Sequence, residues 1–277
     1  GVGSNHYQQY DASLRQELGE DTLATIAGSF TDTKGYNVQP DSSYSGDSDR
    51  DGFRNKTFWA GVTHKFTDEL SAFVRGYGYS NNTDYDSGYK DGGDEHQVYN
   101  HTYETGLAWN NDFYSTQLTG SYQKYKDYNY SSTQGLYQAG TTLDDMTQKN
   151  VQWGNSFIVG KGTVSAGIDW QQQKLTSVDT YNSNDYKRDN TGYYLTAQQK
   201  VDTVTLEGAL RGDDNEQFGW NGTWQTAVGW EFVPDYQVTI SYGTGFQAPT
   251  LGQMYGQSRL YITPNPNLEA EKSGQFE

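Results

Sequence analysis

The chain has no cysteine, and its 277 residues include only five prolines and two methionines. Without cysteine there is neither a disulfide scaffold nor a thiolate metal site. No stretch approaches the roughly 18 consecutive apolar residues that a transmembrane helix requires. Basic residues are few as well: 19 Lys and Arg stand against 35 Asp and Glu, for a formal net charge of −16. Nucleic acid is therefore not expected as a partner, since a phosphate backbone is held by clustered Lys and Arg. Helical periodicity is missing nearly everywhere.

What is abundant is aromatic and flexible: 24 Tyr, 11 Phe, 7 Trp and 32 Gly. A disordered chain of this charge would be poor in aromatics, so disorder does not fit. A transmembrane β-barrel does fit. One strand face meets lipid, the other meets water, and aromatic girdles mark both interfaces. Period-two alternation recurs in segments of about ten residues. Leu70, Ala72, Val74 and Gly76 oppose Ser71, Phe73, Arg75 and Tyr77; Val164, Ala166, Ile168 and Trp170 oppose Thr163, Ser165, Gly167 and Asp169. Val204, Leu206, Gly208 and Leu210 oppose Thr205, Glu207, Ala209 and Arg211, while Trp224, Thr226, Val228, Trp230 and Phe232 form another apolar face. The apolar sets should face lipid. Glu207 and Arg211 should face a wet lumen, because a basic residue at mid-membrane costs roughly 2–4 kcal/mol.

Connections alternate in length. Tight turns are expected at 18–21, 67–69, 109–112, 160–162, 200–202 and 233–235, with longer polar loops at 35–52, 83–97, 128–146, 175–190 and 212–221 and another from Pro249. The pattern reads as an all-β, antiparallel up-and-down transmembrane β-barrel, with about twelve strands and the start of another. A soluble β-sandwich or lectin-like domain is the alternative, but it does not usually gather its long loops at one end.

Two loops carry candidate metal chemistry. Asp47-Ser48-Asp49-Arg50-Asp51-Gly52 opens like a calcium loop, with alternate oxygens and a glycine for the bend. It is not an EF-hand, because the twelfth position is Phe58 and the flanks are strands. The next loop adds Asp84, Tyr85, Asp86, Asp91, Asp94 and Glu95. Carboxylates crowded at one end of a barrel repel one another unless a cation neutralises them. An all-oxygen set suits calcium rather than zinc. The other reading is two independently solvated acidic loops. Enzymatic signatures are missing: there is no G-x-S-x-G elbow and no H-E-x-x-H, and the His residues at 6, 64, 96 and 101 have no ligand spacing. The chain is not expected to be an enzyme; barrel lipases and proteases are the enzymatic alternative.

Gly243-Thr244-Gly245-Phe246-Gln247-Ala248-Pro249-Thr250-Leu251-Gly252-Gln253-Met254-Tyr255 resembles the barrel signature of TonB-dependent receptors. It continues as Asn265-Pro266-Asn267-Leu268 and Glu271-Lys272-Ser273, with Ala270 where the family usually has proline. Within the family, the segments 73–79, 126–130, 214–219 and 222–226 look like those of cobalamin transporters.

The resemblance implies a 22-stranded barrel around an N-terminal plug, of which the present residues read as roughly the first half of the wall; the plug and the C-terminal strands are expected outside them. It implies residence in the Gram-negative outer membrane, contact with outer-membrane lipid and lipopolysaccharide, and energy drawn through TonB from the inner-membrane proton-motive force. It also implies two calcium ions that order the outer loops for cobalamin. Asp49 and Asp51 match the first acidic loop, and Tyr85, Asp86 and Asp94 match the second; Asp47 is a further candidate ligand from its place in the loop, which the resemblance does not require. Asn37 stands where relatives carry Asp, which keeps an oxygen but removes a charge. Tyr85, Tyr89, Tyr128 and Tyr130 are candidates for flat contact with the corrin, although a tyrosine at a strand end more often belongs to a girdle. Phage or colicin are further possible ligands of such loops. A siderophore or haem receptor of the same family, or a passive porin or adhesin, are the alternatives.

Overall fold

The computed structural model describes residues 1–38, 50–86, 95–179, 181–257 and 263–277. β-Branched and aromatic residues alternating with polar ones dictate strands, because each strand presents its side chains to two faces in turn. Thirteen result: β1 (Gln8–Glu17), β2 (Thr22–Thr33), β3 (Phe53–Lys65), β4 (Leu70–Asp84), β5 (Glu95–Asn110), β6 (Tyr114–Tyr130), β7 (Thr142–Val159), β8 (Gly162–Val178), β9 (Ser183–Val201), β10 (Val204–Asn215), β11 (Gly219–Val233), β12 (Tyr236–Gln247) and β13 (Glu271–Phe276). A one-turn helix, α1 (Leu251–Tyr255), lies between the last two. Each strand pairs antiparallel with its sequence neighbours, in the order β1 to β13. Among the described residues β1 pairs only with β2 and β13 only with β12, so this sheet is open rather than closed on itself.

The register assigns the faces. Leu210 sits beside Leu195 and Trp224, and Leu206 beside Val228, which sits beside Ile240. Leu107 sits beside Leu118, and Leu118 beside Trp153, which sits beside Ile168. These rows form one continuous apolar, exposed face. Aromatic pairs bound it at the turn end, where Tyr114 stacks on Phe157 at 4.5 Å and Phe232 lies 6.4 Å from Tyr236. At the other end Tyr193 meets Trp220 at 6.3 Å and Trp224 meets Tyr242 at 5.3 Å. The opposite face is polar. Arg75 grips Glu104 through two nitrogens, and Arg211 is held between Asp169 at 2.8 Å and Asp213 at 2.7 Å. Gln198 donates to Glu207 at 2.6 Å. Val204, Leu206 and Leu210 thus face outward, and Glu207 and Arg211 inward, as the alternation requires.

The short turns fall where expected. Two of the expected long loops do not exist as loops. Between β8 and β9 only residues 179–182 intervene, and between β10 and β11 only 216–218, so most of 175–190 and 212–221 is strand. Here the strands rise out of the membrane into water. Both faces are then wet, alternation disappears, and runs such as Asp213-Asp214-Asn215 look like loop sequence while keeping their ladder pairing.

Candidate substrate-binding mouth

Above the ion pairs, the inward face carries a ladder of amides. Gln123 donates to Asn100 at 3.1 Å, Asn150 to Ser121 at 2.9 Å, and Gln171 to Asn150 at 3.1 Å. Arg188 donates to Gln173 at 2.7 Å, and Asn190 to Asp213 at 2.9 Å. These side chains sit two residues apart along neighbouring strands, so the ladder crosses the sheet from β5 to β10. Most of its hydrogen-bonding capacity is that of neutral amides; Arg75 is paired with Glu104 and Arg211 with two aspartates, while Arg188 donates to the neutral Gln173 and to a backbone carbonyl.

A strap crosses this face. The chain leaving β12 passes over β11 to β9 and docks on β8 and β7. Thr250 caps α1: its hydroxyl accepts from the Gln253 amide at 3.1 Å, and the Gln253 side chain accepts from the Thr250 amide at 2.8 Å. That reciprocal cap fixes one turn, which points Leu251 and Met254 inward; both are buried, as is Leu175 on β8. Tyr255 stacks on Tyr186 with centroids 4.1 Å apart. Arg188, only 5 % exposed, donates to the Pro249 carbonyl at 2.8 Å. The Gln257 amide donates to Asp144 at 3.1 Å, and its side chain to Ser177 at 2.6 Å. Of these residues the family signature includes Pro249 to Tyr255, whereas Arg188, Asp144, Tyr186 and Gln257 carry no signal by themselves. The Thr250–Gln253 capping spacing, with the apolar Leu251 and Met254 three apart, is the local signal for α1.

The acidic loops are rooted side by side. The Gly52 amide donates to the Asp84 carboxylate at 3.2 Å, and the Asp84 amide to the Gly52 carbonyl at 3.0 Å. Asp51 accepts from the Val38 amide at 2.7 Å, and its own amide donates to Tyr36. Gly35, at φ +61°, closes this root: a Cβ there would lie 1.7 Å from the Asp51 carbonyl. Tyr85 follows directly, its hydroxyl accepting from Asn129 at 2.6 Å. Asn37, Asp51, Tyr85 and Asp86 therefore belong to the two roots. Asp47, Asp49, Tyr89 and Asp94 lie outside the described residues. Among the described residues no three His, Asp or Glu groups are clustered as a ready metal site.

Tyr128 and Tyr130 share the parity of Leu118 and Tyr122, so they point outward, away from the lumen. Both are buried on that side. Tyr128 packs edge-on to Tyr99 and Tyr137 at 6.2 and 6.4 Å. Tyr130, above the membrane level, donates to Glu95 and accepts from Asn82. Burial, reinforced by Glu95, pushes its phenol pKa up and keeps it protonated.

The sequence matches a family described as TonB dependent receptor-like, beta-barrel, over residues 3–277. The chain belongs to the TonB-dependent receptor β-barrel family. Its members are receptors and transporters rather than enzymes, and their barrels reside in the Gram-negative outer membrane. Solved structures share the fold. A mutant ferric enterobactin receptor of Pseudomonas aeruginosa in complex with enterobactin has a TM-score of 0.80 at 16% identity, over 98% of this chain and 48% of that one. The siderophore receptor PirA of Acinetobacter baumannii gives 0.76 at 13%, over 99% and 48%. The FrpB iron transporter of Neisseria meningitidis gives 0.71 at 14%, over 89% and 44%. The chain thus spans a little under half the length of these receptors.

Proposed function

We propose that this barrel wall belongs to an active importer that takes a bulky, largely neutral cargo, cobalamin, from loops ordered by calcium, and moves it with energy delivered through TonB. In this reading further strands complete the wall, because unpaired strand edges cannot face lipid without leaving backbone groups unsatisfied. The observation that carries the cargo class is the amide ladder. It offers mainly neutral amide donors and acceptors, and Arg188, whose partners are neutral, is buried beneath the strap, which suits an amide-bearing ligand better than an anionic ferric chelate. The acidic balance of −16 points the same way. For calcium, the support is the donor chemistry and the joined roots: Asn37, Asp51, Tyr85 and Asp86 offer only oxygens beside Asp47, Asp49 and Asp94 of the same two loops. Calcium bound there would neutralise the loop carboxylates; the chain's own contribution is the Asp51–Gly52–Asp84 contact that holds the loops together. Tyr128 and Tyr130, facing outward, are not carried forward as cargo contacts, whereas Tyr85, beside the lumen-facing Asn129, is.

The test is to titrate cyanocobalamin into the full-length receptor, with calcium and with a calcium chelator. Calcium should tighten cobalamin, and cobalamin should tighten calcium by the same factor. Asp51→Asn should weaken both. Equal affinity in both conditions removes the calcium step. A second reading, a siderophore receptor, is favoured by what the structural neighbours bind. It is selected if the receptor ignores cobalamin and binds ferric enterobactin instead.

A further inference from the structure

The strap leaves a cleft of about 330 Å³ between itself and the wall. The wall side of the cleft is a row of three glutamines. Gln123 on β6, Gln148 on β7 and Gln173 on β8 are direct cross-strand neighbours, so their side chains stand side by side, about 4.8 Å apart at the backbone. The strap forms the opposite side with Leu251 and Gly252, and Met146 adds a second apolar surface from β7. Asp127 completes the lining at the β6 end. Lys174 borders the cleft too, but it shares the parity of Ile168 and Trp170, so its ammonium points to the outer side.

The amides of this row are only partly used. A side-chain amide nitrogen carries two hydrogens. Gln123 spends one on Asn100 at 3.1 Å, Gln148 one on Asn150 at 3.2 Å, and Gln173 one on Gln148 at 3.4 Å. Each keeps a second N–H for a ligand. Charge in the cleft is one-sided. Asp127 accepts from the His96 ring at 2.5 Å, and Asp144 is its direct cross-strand neighbour on the same face. Arg188 lies at the far end of the row, beside Gln173, but it donates to Gln173 and the Pro249 carbonyl and does not line the cleft.

Resting on the cargo reading above, we infer that this cleft is a subsite for one primary carboxamide arm of the cargo, and that Asp127 makes it reject a carboxylate. The methylenes of the arm lie along Leu251 and Met146. Its carbonyl accepts from the spare glutamine N–H groups, and its NH2 donates toward Asp127. A carboxylate of the same size has no hydrogen to offer there. It also meets like charge from Asp127, with Asp144 beside it. Selectivity between the two arms thus comes from repulsion of the acid as much as from attraction of the amide.

The experiment titrates the full-length receptor with cyanocobalamin and, separately, with its isomeric monocarboxylic acids, in each of which one amide arm is hydrolysed to the acid. At least one isomer should bind the wild type about tenfold or more weakly than cyanocobalamin does, and in Asp127→Asn that ratio should fall to within about threefold. Gly252→Leu fills the cleft while leaving its polar groups in place, since a Cβ at Gly252 has only Thr250 Oγ1, at 3.9 Å, in contact range. It should weaken cyanocobalamin binding by about tenfold or more. If cyanocobalamin does not bind the wild type, the cargo reading fails, and the subsite with it. If it binds but every acid binds equally well, or the disfavoured isomer stays disfavoured in Asp127→Asn, the subsite alone is overturned. Should Asp127→Asn not fold, Gly252→Leu decides: undiminished binding of cyanocobalamin overturns the subsite.

Discussion

Along β7, Phe157, Trp153 and Val151 face outward while Ser156, Gln152 and Asn150 face the lumen, one residue at a time. Further up the same strand Asp144 faces inward but is buried, because a strap arriving from β12 covers it. The wall at membrane level and the mouth above it are built from one continuous sheet, yet different forces order them. In the wall, solvent on each side decides: a slip of one residue would turn every apolar side chain to water and every polar one to lipid. At the mouth both faces are wet, so solvent decides nothing. Order there comes from specific contacts: the Thr250 cap, the Met254 anchor, the Arg188 bridge and the Gly52–Asp84 clasp.

The largest effect should come from breaking the wall's rule. Val228 faces lipid between Leu206 and Ile240, midway along β11 between Trp224 and Phe232, and is 46% exposed to that side; Ser241, paired with Ala227 on the neighbouring strand, faces the lumen. Val228→Arg should destabilise the full-length receptor in bilayers by about 2–4 kcal/mol. Ser241→Arg, at similar height on the wet face, should cost less than half of that. Chemical denaturation in lipid vesicles gives the comparison, and equal losses for the two variants would refute the facing.

A mutation in the mouth should act locally. Met254 is 2% exposed on α1, which packs against β8, where Leu175 is also buried. Removing a buried methionine typically costs 2–5 kcal/mol, and a one-turn helix with water nearby should lie at the low end, about 2 kcal/mol. Met254→Ala should therefore lower hydrogen-exchange protection over 249–257 and leave β10 unchanged. Loss of protection spread evenly along the wall would mean that the strap is part of the wall's cooperative unit.

The two regions also differ in how far residues alone reveal them. Alternation in β8, β10 and β11 assigns lipid and lumen sides because each residue's polarity answers to one solvent. The same count by twos, carried up β6 from Leu118, reaches Tyr122, Tyr128 and Tyr130, and so shows that the last two face outward. Aromatic character at a loop end suggests a ligand contact; parity does not. Above the membrane the signal fades. Thr176, Asp185, Lys187 and Asp189 read as loop since polar residues suit both wet faces, although hydrogen-bond pairing continues through them. Long-range clasps such as Asp144–Gln257, separated by 113 positions, have no local sign at all.

The smallest expected effect tests the shortest connection at the mouth, between β8 and β9. The exposed Asp179 carboxylate accepts from the amides of Tyr181 and Asn182, each at 2.7 Å. The Tyr181 amide first, then that of Asn182, holds its pKa below the ordinary 3.8, with the Asn182 side chain adding to them. A carboxyl whose folded pKa is depressed contributes its full stabilisation above the unfolded value and loses it as pH falls through the folded one. The turn should therefore be indifferent to pH from neutrality down to the usual carboxylate range and loosen only in more acidic solution. In the full-length receptor, the amide proton shifts of Tyr181 and Asn182 should titrate together, with a midpoint below that of a free aspartate. Asp179→Asn keeps an acceptor oxygen but cannot titrate, so the turn should persist and the acid transition should vanish. If the two amides still titrate in Asp179→Asn, another group governs the turn. The wall offers a contrast within the same experiment: Ile168 and Leu195 are packed by burial against lipid with no carboxylate nearby on their face, and their amides should stay fixed through the acid range in which the turn opens.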